Sequence, residues 1–276
     1  MRRCSAACLY AILCMGMVLA VCVAPAEAQF QPRPLDDPAT GEDYHIEGAL
    51  GLWFPSTDIH VASEEFGIPG TIIDFKTDLG LQNKWHPAFR LVLRPARRHK
   101  FRFEFIPVHY ESDAILRRTI IFNGQRYDFG LPVESIVNWN AYRFAYEFDF
   151  ISNDRGFGGV VVEAKYIDAM VDLSTPILLE FSRARAPVPA IGGIGRFYVV
   201  PNISVTGEFS IFRLPETFVT DTRGHYMDLD LYGTVNFSNN VGAQFGYRSL
   251  DVFYVIEQDQ GDLELRGLYF GIVARY

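Results

Sequence analysis

Apolar and polar side chains alternate along most of this chain, and the alternation returns in ten separate segments. Residues 141–150 show the pattern, with aromatic residues at every even position and Ala, Arg, Ala, Glu and Asp at the odd positions. Successive side chains of a strand point to opposite faces of a sheet, so a period of two predicts half-buried β-strands. No long segment keeps the helical period, and no stretch after residue 28 reaches the ~20 apolar residues of a membrane helix. The pattern predicts an all-β fold.

The ten predicted strands are separated by connections of unequal length. Tight turns follow strands two, four, six and eight, whereas longer connections follow the odd-numbered strands. An even strand count with short turns on one side is typical of a transmembrane, antiparallel, up-and-down β-barrel. Eight or twelve strands are possible if one hairpin is split or missed. The predicted strands are 44–54, 85–94, 99–110, 136–150, 157–169, 191–200, 203–213, 226–237, 241–253 and 264–276.

The first 28 residues have the pattern of a secretory signal peptide. Arg2 and Arg3 precede an apolar run, and Ala26-Glu27-Ala28 provides a small-residue cleavage site. We therefore expect Sec-type export with cleavage near Ala28, a periplasmic linker at 29–43 and a barrel at 44–276. Cys22 in a lipobox-like context offers an alternative, although the residue before it is Val21 rather than a small one.

Composition excludes several classes of chemistry. All four cysteines lie within residues 1–28, so the predicted mature chain has no disulfide and no thiolate metal site. The net charge of −8 argues against a nucleic-acid partner. No cofactor-binding motif is present, so we expect no cofactor and no metal, while carboxylates in the loops could still take calcium.

The apolar faces are rich in aromatic residues and carry no charge in their central spans. A charge facing lipid at the bilayer midplane costs about 2–4 kcal/mol, so we predict that these faces meet lipid. Arg outnumbers Lys by 21 to 4, which suits packed ion pairs with carboxylates on the opposite face. We predict a polar lumen network of Glu47, Arg90, Arg94, Arg102, Glu104, Arg143, Glu147, Glu163, Lys165, Glu208, Asp228, Asp230, Gln244, Arg248 and Arg275.

The last strand ends on a terminal aromatic residue after a regular alternation. This ending resembles the C-terminal assembly signal of Gram-negative outer-membrane β-barrels, in which the last residue is most often Phe. The resemblance implies outer-membrane lipid as a partner and insertion by the barrel-assembly machinery. The residues that carry it are Leu268, Phe270, Ile272, Ala274 and Tyr276.

Catalysis has only weak candidates in the sequence. Asp58 and His60 lie in the first long connection, while His225, Asp228 and Asp230 lie near the start of the eighth predicted strand. Omptin proteases, which are ten-stranded barrels, use an Asp/Asp pair facing an Asp/His pair to activate water. Here the corresponding motifs come in another chain order and on other loops.

Three functions stay open at this point. The first is a non-enzymatic outer-membrane barrel with a side-chain-filled lumen, serving envelope structure or surface binding through long extracellular loops. The second is a small porin-like channel, and the third is an omptin-like protease or a lipid hydrolase. The loops themselves contain hairpin signals at Gly70–Asp78 and at Ile115–Phe122, where Asn123-Gly124 predicts a tight turn.

Overall fold

The computed structural model describes residues 37–63, 68–175, 178–214, 222–256 and 259–276 of the chain. The predicted signal peptide and cleavage site lie outside the described residues. Ten long antiparallel strands form the body of the protein, and three short strands belong to the connections. They are β1 (Ile46–Ala62), β2 (Ile73–Asp74), β3 (His86–Ala96), β4 (His99–Ile115), β5 (Ile120–Phe122), β6 (Gln125–Tyr127), β7 (Pro132–Asn153), β8 (Gly156–Thr175), β9 (Leu178–Val200), β10 (Ile203–Leu214), β11 (Thr222–Asn236), β12 (Val241–Ile256) and β13 (Asp259–Arg275).

The sheet closes on itself. Each long strand pairs with the next long strand in the sequence, and β13 pairs with β1 from Glu47↔Arg275 to Ala62↔Gln260. The predicted ten-stranded antiparallel barrel is therefore confirmed. Short turns join β3 to β4, β7 to β8, β9 to β10 and β11 to β12 at the end of the barrel that holds Tyr276, as predicted.

Several strands extend well beyond the predicted limits at the opposite end. The connection predicted at 170–190 is instead strand, because β8 continues to Thr175 and β9 begins at Leu178. At ~3.3 Å per residue, the 23 residues of β9 are much longer than the ~25 Å apolar height of an outer-membrane barrel. The barrel therefore continues as a wall on the extracellular side of the membrane.

Large apolar side chains cover the outside of the lower barrel. On each strand they occupy alternate positions, and they stop where the long strands become polar on their outer face. Because water would disfavour so continuous a surface, this apolar belt is the part of the wall that meets lipid. Representative members are Leu50, Phe54, Phe101, Phe144, Phe148, Val162, Ile191, Phe197, Ile211, Leu231, Phe245 and Phe270.

An N-terminal strap, residues 40–44, packs against the periplasmic end of the barrel. Thr40 donates its N–H to the carbonyl of Pro201 at 2.6 Å, and the Asn236 amide donates to the carbonyl of Thr40 at 2.7 Å. Tyr44 is buried beside the guanidinium groups of Arg94 and Arg275. The segment predicted as a linker to residue 43 thus differs from the structure in its last residues, which help to close the barrel.

The two longest connections form a cap at the extracellular end. Strands β5 and β6 form the predicted hairpin, with positive φ angles of 49° at Asn123 and 72° at Gly124 in its turn. Six apolar side chains of the hairpin and the first connection are completely buried, and β2 joins the first connection to β1. These buried side chains are Ile73, Phe75, Leu79, Ile120, Phe122 and Tyr127. In the described part of the chain, no helix is long and apolar enough to cross a membrane.

Closure of β13 onto β1 depends on a close backbone approach at Gly267. A Cβ added there would lie 2.1 Å from the carbonyl oxygen of Phe54. We expect Gly267→Ala to force the two strands apart, and therefore to lower the yield of the heat-modifiable, folded band on a gel run with boiled and unboiled samples. The matched control is Gly207→Ala, where the new Cβ would meet only Leu231 at 3.7 Å. Equal folded yields for the two variants would contradict this account of closure.

Candidate functional site: a sealed lumen below an apolar mouth

Polar side chains fill the lower lumen. The structure places all fifteen side chains of the predicted lumen network inside the barrel, and each residue is buried. They alternate with the lipid-facing residues of the same strands. Every second residue of a strand therefore faces the lumen, and its position in the sequence decides which face it takes. Gln244 donates to Thr234, and the other fourteen members are charged.

Many of these ion pairs join strands on opposite sides of the barrel. Arg90 of β3 contacts Asp230 of β11 at 2.7 Å, and Arg102 of β4 contacts Glu208 of β10 at 2.7 Å. Arg248 of β12 reaches across to Glu104 of β4 at 2.9 Å. Since these contacts cross the lumen rather than follow its wall, they leave the lower barrel filled by side chains.

The charges in the lumen balance. Sequence reasoning missed four of its ionic groups, namely Lys100, Asp149, Arg196 and Glu42, the last of which comes from the strap. With them, the described lumen contains nine cationic and nine anionic side chains. The cations are Arg90, Arg94, Lys100, Arg102, Arg143, Lys165, Arg196, Arg248 and Arg275, and the anions are Glu42, Glu47, Glu104, Glu147, Asp149, Glu163, Glu208, Asp228 and Asp230.

Glu42 connects the strap to this network. Its carboxylate lies 3.4 Å from Arg196 and 3.6 Å from Arg94, and it accepts a hydrogen bond from Tyr198 at 3.1 Å. Without Glu42 the nine cations of the lumen would face eight anions. The strap therefore closes the periplasmic opening by charge as well as by packing.

Above the ion pairs the lumen becomes apolar and opens into a cavity of about 410 Å³ at the extracellular mouth. Apart from Asp259 and the hydroxyls of Ser182 and Thr222, its inward-facing lining is aliphatic, aromatic or small. Tyr226 separates it from the charged Lys165 below, whose ammonium lies 3.9 Å from the ring centre. We call this space the mouth cavity. Its inward-facing apolar lining includes Ile59, Val61, Val137, Trp139, Ile167, Ala169, Val171, Ala184, Ala186, Val188, Phe212, Leu214, Val252, Tyr254 and Leu263.

The cap beside the cavity is fixed by one ion pair. Arg118 donates from Nε and Nη2 to the two carboxylate oxygens of Asp78, at 2.8 and 2.6 Å, and also to the carbonyl of Ile72 at 2.6 Å. The hydrogen bond from Arg118 lowers the pKa of Asp78 below its ordinary value. This fork joins the first connection to the segment that leads into the β5–β6 hairpin.

The five weak catalytic candidates do not form one site. Asp228 and Asp230 lie in the lumen, where they pair with Arg248 and Arg90, both at 2.7 Å. Asp58 and His60 alternate with inward-facing residues of β1 and lie on the outer wall, 3.5 Å apart. The structure therefore separates the two aspartates from the histidine that would activate water.

The fifth candidate, His225, also has a partner outside the lumen. Its Nε2 lies 2.8 Å from Asp251 of the neighbouring strand. Within the described ranges, no group of three or more His, Cys, Asp or Glu side chains is arranged to hold a metal ion.

A known structure shares this architecture. The fold is similar to that of the outer membrane protease OmpT from Escherichia coli, with a TM-score of 0.59 and 8% identity, over 88% of this chain and 100% of that one. The translocator domain of the autotransporter NalP from Neisseria meningitidis gives a TM-score of 0.42 and 10% identity, over 88% and 91% of the two chains. Ail of Yersinia pestis gives 0.35 and 9%, over 83% and 98%.

The similarity to OmpT establishes the fold, a ten-stranded outer-membrane β-barrel. The apolar belt agrees with an outer-membrane location. No protein-family model matches the chain, and no curated protein matches it.

Removal of one lumen cation should expose the cost of an unpaired buried charge. In Arg248→Met, Glu104 and Asp228 each lose a partner, so we expect a loss of about 3–5 kcal/mol in the free energy of unfolding. Denaturant titration in detergent, followed by the heat-modifiable band, measures the change. The control is Arg97→Met, which breaks the exposed pair with Asp154 and should change stability little. A similar loss in both variants would contradict the role assigned to the lumen network.

The Asp78–Arg118 pair predicts a pH dependence of the cap. Because the pKa of Asp78 is lowered in the folded state, its stabilising effect is present above the ordinary aspartate pKa and is lost as the pH falls through the lowered value. We expect Asp78→Asn to melt earlier than the wild type at neutral pH. The difference between their thermal midpoints should shrink as the pH falls below the ordinary aspartate pKa and through the lowered one. A difference between the two thermal midpoints that stays constant in acid would show that Asp78 stabilises the cap without its charge.

Proposed function

We propose that this barrel binds a small apolar molecule at the cell surface, in the mouth cavity, without conducting solutes and without catalysing a reaction. One observation carries the proposal: an apolar cavity of about 410 Å³ lies at the mouth, directly above a lumen sealed by ion pairs. This arrangement provides a closed-ended binding site.

The lining of the cavity supports an uncharged ligand body. Burial of apolar surface contributes roughly 25 cal/mol per Å², and small-molecule sites typically have volumes of about 300–1,000 Å³. Most side chains that face the cavity can contribute this apolar contact, and small residues such as Ala169 and Ala186 leave room for it. Inward-facing polar groups are confined to the rim, where Ser182, Thr222 and Asp259 face the same space.

The two alternative functions receive less support from the geometry. A channel would need a continuous aqueous path, whereas ion pairs cross the lumen from β3 to β11 and from β4 to β10. A narrow barrel is also generally filled by side chains. A protease or lipid hydrolase would need convergent catalytic groups, whereas Asp228 and Asp230 are already paired with arginines inside the lumen.

Trp139 provides a direct readout of binding because it lines the mouth cavity. We use a background with Trp53→Phe and Trp85→Phe, which leaves Trp139 as the one tryptophan of the chain, and 1-bromonaphthalene as a quenching apolar probe. Trp53 is buried but does not line the cavity, and Trp85 is exposed on the outer wall. The probe should quench Trp139 with saturation. Ala169→Phe should fill part of the cavity and weaken the apparent affinity by about tenfold or more, which corresponds to ~1.4 kcal/mol.

The matched control for this experiment is Ala243→Phe. Ala243 lies in β12 in the outward-facing series that contains Phe245, and is not part of the cavity lining. The Ala243→Phe substitution should leave the affinity for the probe unchanged. Unaltered quenching in Ala169→Phe would contradict the proposed site. Stepwise single-channel currents from the wild-type protein in planar bilayers would contradict the sealed lumen.

A further inference from the structure

The barrel wall is interrupted at one seam. The pairing of β10 with β9 ends at Ile211↔Ile191, yet β9 reaches up to Leu178 and β10 continues to Leu214. In the described parts of these two strands, no pair lies on the extracellular side of that position. Along the same stretch β9 stays fully paired with β8, up to Thr175↔Leu178. Over residues 188–190 of β9, which would stand opposite the described residues 212–214 of β10, one edge is therefore bonded to β8 and the edge that faces β10 is open.

Two prolines explain why the ladder stops there. Pro187 and Pro189 keep their register with Tyr166 and Ala164 of β8. A proline has no N–H to donate, so strands carry it at an edge rather than between two bonded neighbours. If the β9–β10 register continued, Pro189 would stand opposite Arg213. The sequence thus encodes the seam at a defined height.

The mouth cavity reaches this seam. Its lining includes Ala186 and Val188 from β9 and Phe212 from β10, which are the inward-facing residues on the two sides of the gap. Outward-facing Arg185 and Pro187 line the same cavity. Ala186 is also exposed although it faces inward. The cavity therefore opens sideways through the wall as well as upward.

The height of the seam places it at the surface of the membrane. Ile191 and Ile211 are the last paired residues, and both belong to the apolar belt, with exposed fractions of 61% and 39%. Above them the outer face of β9 carries two prolines and two arginines before the exposed Phe181. Unpaired backbone groups are costly within hydrocarbon, so a gap that begins at the upper edge of the belt avoids that cost while it opens beside the outer leaflet.

Arginines surround the seam. Arg183 and Arg185 both contact Asp168, at 2.5 and 3.4 Å, so that two cations share one carboxylate on the β8–β9 side. Arg213 is exposed on β10, across the gap. At the seam itself these three arginines face one carboxylate, because the acidic residues of the cavity lining, Asp259 and Asp262, lie on β13, three strands away from β10. This local excess of positive charge above an apolar cavity matches a ligand with an anionic head and an apolar tail.

We infer that the ligand of the mouth cavity is an acidic amphiphile that passes between the cavity and the outer leaflet through the β9–β10 seam. This inference rests on the proposed function, because it specifies the ligand and the route for the same site. The apolar tail lies among Trp139, Ala169 and Phe212, and the anionic head stays at the arginine rim.

The route is tested with a variant that restores two N–H groups, Pro187→Val with Pro189→Val, in the same Trp53→Phe and Trp85→Phe background. Quenching of Trp139 by 12-bromododecanoate is followed after the protein in phosphatidylcholine vesicles is mixed with vesicles that carry the probe. We expect quenching to be slowed about tenfold or more, because the extended ladder closes the seam, with affinity in detergent changed by less than about twofold.

Two controls keep this test sharp. Pro107→Val alters an outward-facing proline of β4, away from the cavity lining, and should leave the rate unchanged. Pro189→Val alone should slow the exchange partly, and it replaces the double variant if that variant does not give a heat-modifiable band. Unchanged rates in the folded proline variants would overturn the lateral route.

The head group is tested with two probes that differ only there, 12-bromododecanoate and 12-bromo-1-dodecanol. Arg185→Gln with Arg213→Gln should weaken the acid by about fivefold, the equivalent of ~1 kcal/mol, and should leave the alcohol unaffected. Equal effects on both probes would overturn the acidic head group. If neither probe nor 1-bromonaphthalene quenches Trp139 in the protein with an unaltered cavity, the proposed function fails. If the probes bind but the proline variants take them up at an unchanged rate, only the lateral route is disproved.

Discussion

In hydrocarbon, a backbone N–H or carbonyl without a partner has no water to bond, and this constraint determines the architecture of the protein. A sheet satisfies it only by closing, which β13 and β1 achieve along sixteen residue pairs. Closure then forces every second side chain inward. The lipid-facing half of each strand can be uniformly apolar only if the charges that the chain carries are all placed on the lumen side, where they must neutralise one another.

Neutralisation inside the lumen has a consequence for function. Nine cations and nine anions fill the lower barrel, and the ninth anion, Glu42, is supplied by the strap and not by a strand. A buried charge that loses its partner is strongly destabilising, so the network resists both opening and substitution. The part of the barrel that crosses the membrane therefore has a structural role. Binding is left to the wall that projects above it.

The sequence predicts the membrane-crossing half of the fold better than the rest. Lipid on one side and ion pairs on the other impose a strict alternation, and Lys100 and Asp149 could have been assigned to the lumen from their parity with Arg102 and Glu147. Arg196 lies among glycines and Glu42 among prolines, so neither has a clear periodic signal. Above the belt, β9 has arginine and proline on its outer face and mostly alanine on its inner face, and alternation no longer distinguishes a strand from a loop there. The mouth cavity draws its lining from eight long strands, and no local pattern reports such a set.

The same two prolines that weaken the strand signal of residues 183–190 also define the seam. Below Ile191 the wall must be bonded on both edges, and the belt residues of β9 are paired with β8 and β10. Above it, water can satisfy open backbone groups, and the requirement for a closed ladder no longer applies. A barrel can therefore be interrupted at one height without loss of its membrane-spanning integrity. An opening at that height connects an apolar interior with the only apolar reservoir nearby, the outer leaflet, which is why the seam and the mouth cavity together indicate a ligand drawn from the membrane.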